Sequence, residues 1–535
     1  MSFWRNPFKR SIDTPPAPIA PEIAPLGKRP RHHGNSVRQL FAAAKTDRFT
    51  TGWPAQPMSA DEIIEKYQRV LVARSREQAS NNNYAKKFLR LCVNNIVGPR
   101  GVMLQAKSKD ARGKLDTTAN TAIELAFAAW GHRDHCDITG RKTWRGIQAA
   151  CINSVAKDGE FFTRIIYGTD AGKWGISLQM IDPQRCPVDL KQDRLSHGGF
   201  IRQGIEFNRY GRPIAYFFST LDANETSYRW GGRDFVRVPA SEILHGFLEE
   251  MTGQKRGVPW MGVSLREMRH LNEMEVAALI NSRAGASKMG FIEWDEDTGP
   301  DADDPEEFYV DADPGEFQVL PTGAHLKEWN PQYPNGEFAG FVKHALRGMA
   351  SGTGVTYNTL ANDLEGVNFS SIRQGTLDER ENWKELQEWF IECLHRPVYE
   401  AWLPRALLLA SIKVKNTPLR PERLERYSLV EWQARRWAWI DPSADATAAE
   451  KAKNNMLQAP GQIIRESGRD PDTVWRESAS DVRRMIDSYI EQGITLETAE
   501  KLVLQSMGLK DAPPPGGFNS GNSNEQKKED GKTTE

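Results

Sequence analysis

The chain has 535 residues, long enough for two or three domains with real cores, and its 70 Lys and Arg against 71 Asp and Glu leave a net charge of −1. That balance excludes the global basic field that marks many nucleic-acid binders. The five cysteines (Cys92, Cys136, Cys151, Cys186, Cys393) are scattered with no CxxC pair, so reduced thiols in a cytosolic setting are expected. No run approaches the roughly 20 apolar residues of a membrane span, and the N-terminus lacks the apolar stretch of a secretory signal, so a soluble intracellular chain is expected. The neutrality is a local cancellation: residues 1–50 hold nine Lys or Arg and three acids, whereas residues 293–316 hold twelve acids and no base.

Residues 1–58 carry seven prolines before position 31 and the cluster KRPRHH (Lys28 to His33). Such a segment buries too little surface to offset its ordering entropy and reads as a mobile arm. A solvated tail is one reading, contact with DNA or a partner protein the other. Order begins near Ser59, where SADEIIEKYQ carries a helix-capping signature. ASNNN breaks this helix, and YAKKFLRLCVNNIVG forms a second, with Phe88, Leu91, Cys92 and Ile96 on one side and Gly98-Pro99 as a stop. Two more helices fall between Thr118 and Asp158. From Gly159 the pattern turns to short β-branched and aromatic runs, GEFFTRIIYG, ISLQMID, FIRQGIEFN and PIAYFFS, with NRYGRP as a turn between the last two.

A helical pair follows. VSLREMRHLNEMEVAALINSRAGAS places Leu265, Met268, Val276, Leu279 and Ile280 near one face, and EFAGFVKHALRGMASG repeats Phe338, Phe341, Val342, Ala345, Leu346 and Met349 at helical spacing up to Gly352. Between them lies the acidic insert. After them, GTGVTYNTLANDLEGVNFSSIRQGTLD reads as a long loop, too apolar at Tyr357, Leu360 and Phe369 for a plain linker. LDERENWKELQEWFIECLHRPVYEAWLPRALL then reads as a helix broken at Pro397, and a helical region runs from about Ala444 to Met507. The last residues, 509–535, have the composition of a disordered tail. The fold class is α+β.

The chain offers no chemistry. Gly531-Lys532-Thr533 ends like a phosphate-binding loop, but Gln526 stands where its first glycine is required. His132, His135 and Cys136 lack the further ligands of a tetrahedral zinc site. In the acidic stretch, a calcium loop starting at Asp295 would need glycine where Pro300 stands, and one starting at Asp301 meets Glu306. No GxSxG, HExxH or nucleophile–base cluster is present. No catalytic residue, metal site or cofactor is assigned, which favours a structural or conduit role.

Five segments in order, ARSREQASNNNYAKKFLRLCVNNIVGPRGVMLQ, KDGEFFTRI, HGFLEEMTGQKRGVPWM, ASGTGVTYNTLANDLEGVNFSSIRQG and WIDPSADATAAEKAKNN, resemble the portal proteins of tailed bacteriophages (or prophages), lambda family. The resemblance implies a portal fold: a mainly helical wing carrying a β-sheet, paired stem helices, an inserted α/β clip, a tunnel loop and a helical crown. On this chain the wing resembles 59–261 and again 377–430, the stem helices 262–286 and 336–351, the clip 287–335, the tunnel loop 352–376 and the crown 431–508. It implies a homo-oligomeric ring, typically a dodecamer, at one capsid vertex of the virion, assembled in the host cytoplasm. Double-stranded DNA would pass through the ring in packaging and ejection. The implied partners are the terminase large subunit, which supplies the ATPase, a head-tail adaptor, and the major capsid and scaffold proteins, with no membrane.

The resemblance also implies roles for single residues. Asn362, Asp363, Glu365 and Asn368 would form the DNA-facing tip of the tunnel loop. Lys343 and Arg347, one turn apart, are candidates for a basic ring in the channel, with solvent or intersubunit ion pairs as the other reading. Asp295, Glu296, Asp297, Asp301, Asp303 and Asp304 would form an acidic clip surface that DNA slides past without adhering. The competing hypothesis is a nucleic-acid-processing or packaging-motor subunit with an unrecognised active site.

Overall fold

The computed structural model describes residues 56–196, 198–219, 235–286, 290–294, 322–328, 336–438 and 440–506, together with 48, 52 and 54. The chain divides into two units, Met1–Met58 and Ser59–Glu535, and the elements below belong to the second. Ser59 starts α1 (Ala60–Asn81) with a reciprocal cap: its hydroxyl accepts from the Glu62 amide (3.3 Å) and the Glu62 carboxylate accepts from its own amide (2.9 Å). Asn82 ends α1 and caps α2 (Asn83–Cys92), accepting from the Tyr84 and Ala85 amides. A π-helical turn, Val93–Val97, follows and stops at Gly98, whose φ of 73° is left-handed. Next come β1 (Met103–Ala106), α3 (Thr117–Trp130), α4 (Arg133–Cys136) and α5 (Trp144–Asp158).

The strands β2 (Glu160–Tyr167), β3 (Ile176–Ile181), β4 (Phe200–Arg202), β5 (Ile205–Phe207), β6 (Pro213–Phe218), β7 (Val236–Pro239) and β8 (Ile243–Phe247) form two antiparallel sheets, ordered β3-β2-β8 and β4-β5-β6-β7. The helical pair α6 (Leu265–Ala286) and α7 (Phe338–Thr353) brackets an antiparallel pair, β9 (Gly290–Trp294) and β10 (Ala324–Glu328). Then follow α8 (Tyr357–Ala361), α9 (Phe369–Phe390), a second π-helical turn (Ile391–His395), α10 (Arg396–Leu408), the hairpin β11 (Lys413–Val414) and β12 (Thr417–Pro418), and α11 (Leu424–Tyr427). β13 (Val430–Gln433) returns to pair with β1, with Met103 opposite Gln433. Four helices close the described chain: α12 (Pro442–Asn454), α13 (Pro460–Glu466), α14 (Pro471–Glu491) and α15 (Leu496–Ser506). The architecture is mixed α+β with small antiparallel sheets.

Four expectations change. FIRQGIEFN is a hairpin, because Gln203 and Gly204 take φ of 53° and 79° and turn the chain between β4 and β5. The run 352–376 is largely helical: α7 extends to Thr353, α8 occupies its middle, and α9 starts at Phe369 because Asn368 accepts from the Ser371 amide (2.8 Å). Pro397 does not break the long helix. It sits in the first turn of α10, just after a π-helical turn that absorbs its missing N–H. The apolar residues of α6 also fall on two faces. Leu265, Met268, Leu271 and Ala278 are buried, whereas Val276 (47%), Leu279 (71%) and Ile280 (62%) are exposed.

The core is aromatic. Phe127 of α3 meets Trp402 edge-on at 5.0 Å and also contacts Trp130, Trp144, Tyr399 and Trp432, so α3, α5, α10 and β13 share one cluster. A buried ionic network ties the two sheets to each other and to α1. Both oxygens of Glu160 on β2 accept from Arg256, with contacts down to 2.6 Å, and Gln68 of α1, the Gly257 amide and His245 Nε2 (2.9 Å) complete the set. Burial alone would raise the Glu160 pKa, but the charge of Arg256 and the His245 hydrogen bond hold it well below the usual range. The remaining N–H groups of Arg256 reach carbonyls of Pro183, Cys186 and Gln203. Gly257 must be glycine here: a Cβ would lie 1.9 Å from the Gly159 carbonyl oxygen.

Two outcomes are expected. Arg256→Met leaves Glu160 buried without its cation and lowers unfolding stability by about 3–5 kcal/mol, measured by urea denaturation at pH 7. His395, fully buried in the second π-helical turn, has its pKa pushed down from 6.5 to about 3 by burial. As pH falls below 6.5 the unfolded chain takes this proton first, so stability declines progressively between pH 6.5 and 3. His395→Phe removes that term, and its stability, read by denaturation at pH 7 and pH 5, should depend less on pH than that of the unaltered chain.

Candidate functional site

The segment joining α7 to α9 carries four of the candidate residues, Asn362, Asp363, Glu365 and Asn368. α7 buries Leu346, Met349 and Ala350 and ends at Gly354, whose left-handed φ of 70° reverses the chain. Thr356 then caps α8, accepting from the Thr359 amide, and Leu360 (2% exposed) and Val355 (7%) plug into the core. Leu360 therefore anchors the segment. Phe369 opens α9, and its side chain lies outside the described part of the structure.

Past Leu360 the chain folds back on α7. Asn362 takes a φ of 55°, a conformation Asn tolerates better than most residues, and this turns Asp363 toward the helix. The Asp363 carboxylate accepts from the Tyr357 hydroxyl (2.5 Å) and the Glu365 amide (2.9 Å), with Lys343 Nζ at 3.2 Å. Lys343 and Arg347 both approach the Tyr357 ring, at 5.9 and 5.5 Å from its centroid. The Tyr357 hydrogen bond, the Glu365 amide and Lys343 hold the Asp363 pKa down at about 2. Partial burial, with the Asp363 carboxylate beside it, pushes the Tyr357 phenol up to about 12. The structure thus brings Asp363, Lys343, Arg347 and Tyr357 into one cluster, in which a predicted tip acid is the counterion of a predicted channel base.

Two more tethers come from distant elements. Lys87 of α2 donates to Asn362 Oδ1 (2.7 Å). On the other side, Glu379 of α9 accepts from the Thr356 amide (3.1 Å) and hydroxyl (2.7 Å), and Asn382 donates to the Gly354 carbonyl (3.0 Å). Lys87, Glu379 and Asn382 were missed from sequence. Lys87 is 275 residues from its partner, and no local pattern encodes such a pairing. Glu365 and Asn368 are exposed, as is Leu364 at 67%, so the outward tip is Asn362, Leu364 and Glu365. Asp295, Glu296, Asp297, Asp301, Asp303 and Asp304 lie outside the described residues.

The arrangement offers charge and shape rather than bond-making chemistry. Cys136 is buried and donates to the carbonyls of Gly131 and Lys142. Among the described residues no group of three His, Cys, Asp or Glu side chains is placed to hold a metal ion, and no helix is long and apolar enough to cross a membrane.

Residues 46–387 match the family described as phage portal protein, lambda family. The chain is 32% identical over 481 residues to a protein described as a probable portal protein of Halomonas phage phiHAP-1, covering 88% of this chain and 89% of that protein. Among solved structures it is similar to a chain in the neck of a native gene transfer agent particle, computed with C12 symmetry, at 12% identity and a TM-score of 0.40, covering 75% of this chain and 94% of that one. A chain in the neck of the empty particle, computed with C6 symmetry, matches at 14% identity, a TM-score of 0.41 and the same coverage.

Asp363→Ala removes the acceptor shared by Tyr357, Lys343 and the Glu365 amide. Hydrogen exchange of amides 362–367 should speed up severalfold while that of α7 residues 346–350 stays unchanged. Equal exchange in both chains would show that the carboxylate does not hold the segment.

Proposed function

The chain belongs to the lambda family of phage portal proteins, structural components of the virus particle and not enzymes, and from that premise we propose that it forms a ring at one capsid vertex through which double-stranded DNA is packaged and ejected. The observation that carries the ring is the pair α6 and α7. Their ends nearest the body are buried, but Val276, Leu279 and Ile280 on α6 and Phe341 (58% exposed) on α7 are left open. Apolar side chains grouped on two neighbouring helices are expected to be covered by another surface. A closed ring supplies one, because in a heterologous cyclic interface each copy covers a different face of the next.

On this reading α6 and α7 are the stem (262–286 and 336–351), 287–335 the clip, 352–376 the tunnel segment, 59–261 with 377–430 the wing, and 431–508 the crown. The ring is a dodecamer. The clip docks the terminase and later the head-tail adaptor, and its acids Asp295, Glu296, Asp297, Asp301, Asp303 and Asp304 form an electronegative annulus that limits adhesion of DNA. The outward tip of the tunnel segment, Asn362, Leu364 and Glu365, faces the DNA, with Asn368 at the start of α9 beside it. Because Lys343 is paired with Asp363, the basic contribution of α7 falls mainly on Arg347. A motor subunit with its own active site has no comparable support, since the family is structural.

Electron microscopy or native mass spectrometry of the full chain should show a closed ring with an axial channel, and a chain that stays monomeric under every assembly condition would overturn the reading. Deleting residues 361–367 should leave the ring intact but impair DNA packaging or retention. Normal genome filling in that variant would place the DNA contact elsewhere.

A further inference from the structure

Between α1 and α6 runs an open groove of about 360 Å³, with Leu71 and Leu265 at its base and three arginines, Arg74, Arg266 and Arg269, facing two acids, Glu77 and Glu273, along its walls. Gln78 is only 5% exposed and donates through Nε2 to Glu77 (2.7 Å), while its Oε1 has no hydrogen-bond partner among the described residues. Arg269 is neutralised by Glu273 (2.8 Å), whereas Arg74 and Arg266 have no acidic partner among the described residues, Arg266 donating to His270 Nε2 at 3.5 Å. With Arg269 and Glu273 paired, two arginines remain against Glu77, and the groove has a net positive wall over an apolar base, a setting for an acidic surface.

One exposed face of this chain has that character. Asp378, Glu381, Glu385, Glu388 and Glu392 recur at i, i+3, i+7, i+10 and i+14 along α9 and the π-helical turn that continues it, and all five are exposed. They form a single stripe, since residues three and four apart lie on one side of a helix. Lys384 pairs with Glu381 (2.5 Å), but Glu385, Glu388 and Glu392 have no basic partner among the described residues. The stripe is opposite the face that carries Trp383, Gln387 and Phe390 into the core. A row of like charges left unpaired on a helix is unfavourable in the isolated subunit and favourable once it meets cations.

We infer that the α1/α6 groove of one copy receives the acidic face of α9 from a second copy, an inference that rests on the ring proposed above and names the surfaces that close it. The two surfaces open on different sides of the subunit. α1 packs on α5 through Ser75, which donates to the Lys157 carbonyl (2.6 Å), and α9 packs on the turn Val93–Val97 through Gln387, which donates to the Asn95 carbonyl (2.7 Å). That turn in turn lies against α5. With α5 and the turn between them, α1 and α9 look outward in different directions, as a heterologous contact requires and an isologous one does not. Each exposed ion pair contributes little alone, but the contact recurs at every junction of a ring, and complementary charge fixes register and rejects wrong pairings.

The test is a charge swap in the full chain, read by native mass spectrometry and sedimentation at about 0.1 M salt. Arg74→Glu with Arg266→Glu, and separately Glu385→Arg with Glu388→Arg, should each shift the ring-to-monomer ratio toward monomer by about tenfold or more. All four changes together should restore the ring. These side chains are exposed, so unchanged far-ultraviolet circular dichroism is expected for the monomers. Independently, Arg266→Cys with Glu385→Cys should give an oxidant-dependent covalent ladder of copies that the unaltered chain, whose cysteines are mostly buried, does not give. An unaltered chain that forms no ring overturns both proposals. A ring unaffected by either reversal, with no ladder from the cysteine pair, overturns the groove assignment alone.

Discussion

The buried pairing of Glu160 with Arg256 is the constraint on which the rest of the body depends. Neither charge can be left alone at full burial, so every element that supplies a partner is held in place: α1 through Gln68, β8 through His245, and the turn between β4 and β5 through the Gln203 carbonyl. Gly257 follows Arg256 directly and passes so close to Gly159 that no side chain fits. The chain then runs from this fixed point through Trp260, which meets Trp389 of α9 at 6.2 Å, into α6. The starting position of the helical pair is thus set by a charge pair in the sheet region.

From that base, α6 and α7 carry the segment on which Asn362, Asp363, Glu365 and Asn368 lie. Ser264, just before α6, donates to the Met349 carbonyl (3.4 Å), and its Oγ would lie 2.6 Å from a Cβ at Gly352, so a side chain there would displace this hydroxyl. This close approach fixes the end of α7, and with it the origin of the segment tied down by Tyr357, Asp363 and Lys343. The segment is held on one side by α7 and α2 and on the other by α9, through partners that are mostly charged or polar. Its tethers lie at the surface, where salt and competing anions weaken them, in contrast to the buried pair that positions the helices.

Much of this was legible in the sequence, for identifiable reasons. The helix cap at Ser59, the break at ASNNN and the stop at Gly98 are written in local chemistry within a few residues, and they fell where expected. The hairpin at Gln203-Gly204 was missed because Gln is a poor indicator of a left-handed turn. The start of α9 was missed because the Ser, Thr and Gly of NFSSIRQGT suggest a loop, whereas the Asn368 cap overrides them. The helix read as broken at Pro397 continues because a π-helical turn supplies the geometry that proline needs, and no local pattern announces such a turn.

The sequence by itself determined the α+β class, the order of the helices and short strands, the absence of recognisable catalytic motifs, and a family resemblance that the comparisons then established. These depend on periodicity, caps and motif order, all of which are local or cumulative along the chain. Only the tertiary structure decided what the candidate residues touch. It made Asp363 the counterion of Lys343, brought Lys87 to Asn362, divided the apolar residues of α6 between a buried and an open face, and set the acidic stripe of α9 apart from the groove beside α1. Those outcomes depend on contacts between residues tens to hundreds of positions apart, and such contacts exist only after the core around Phe127 and the Glu160–Arg256 pair has fixed the helices in space.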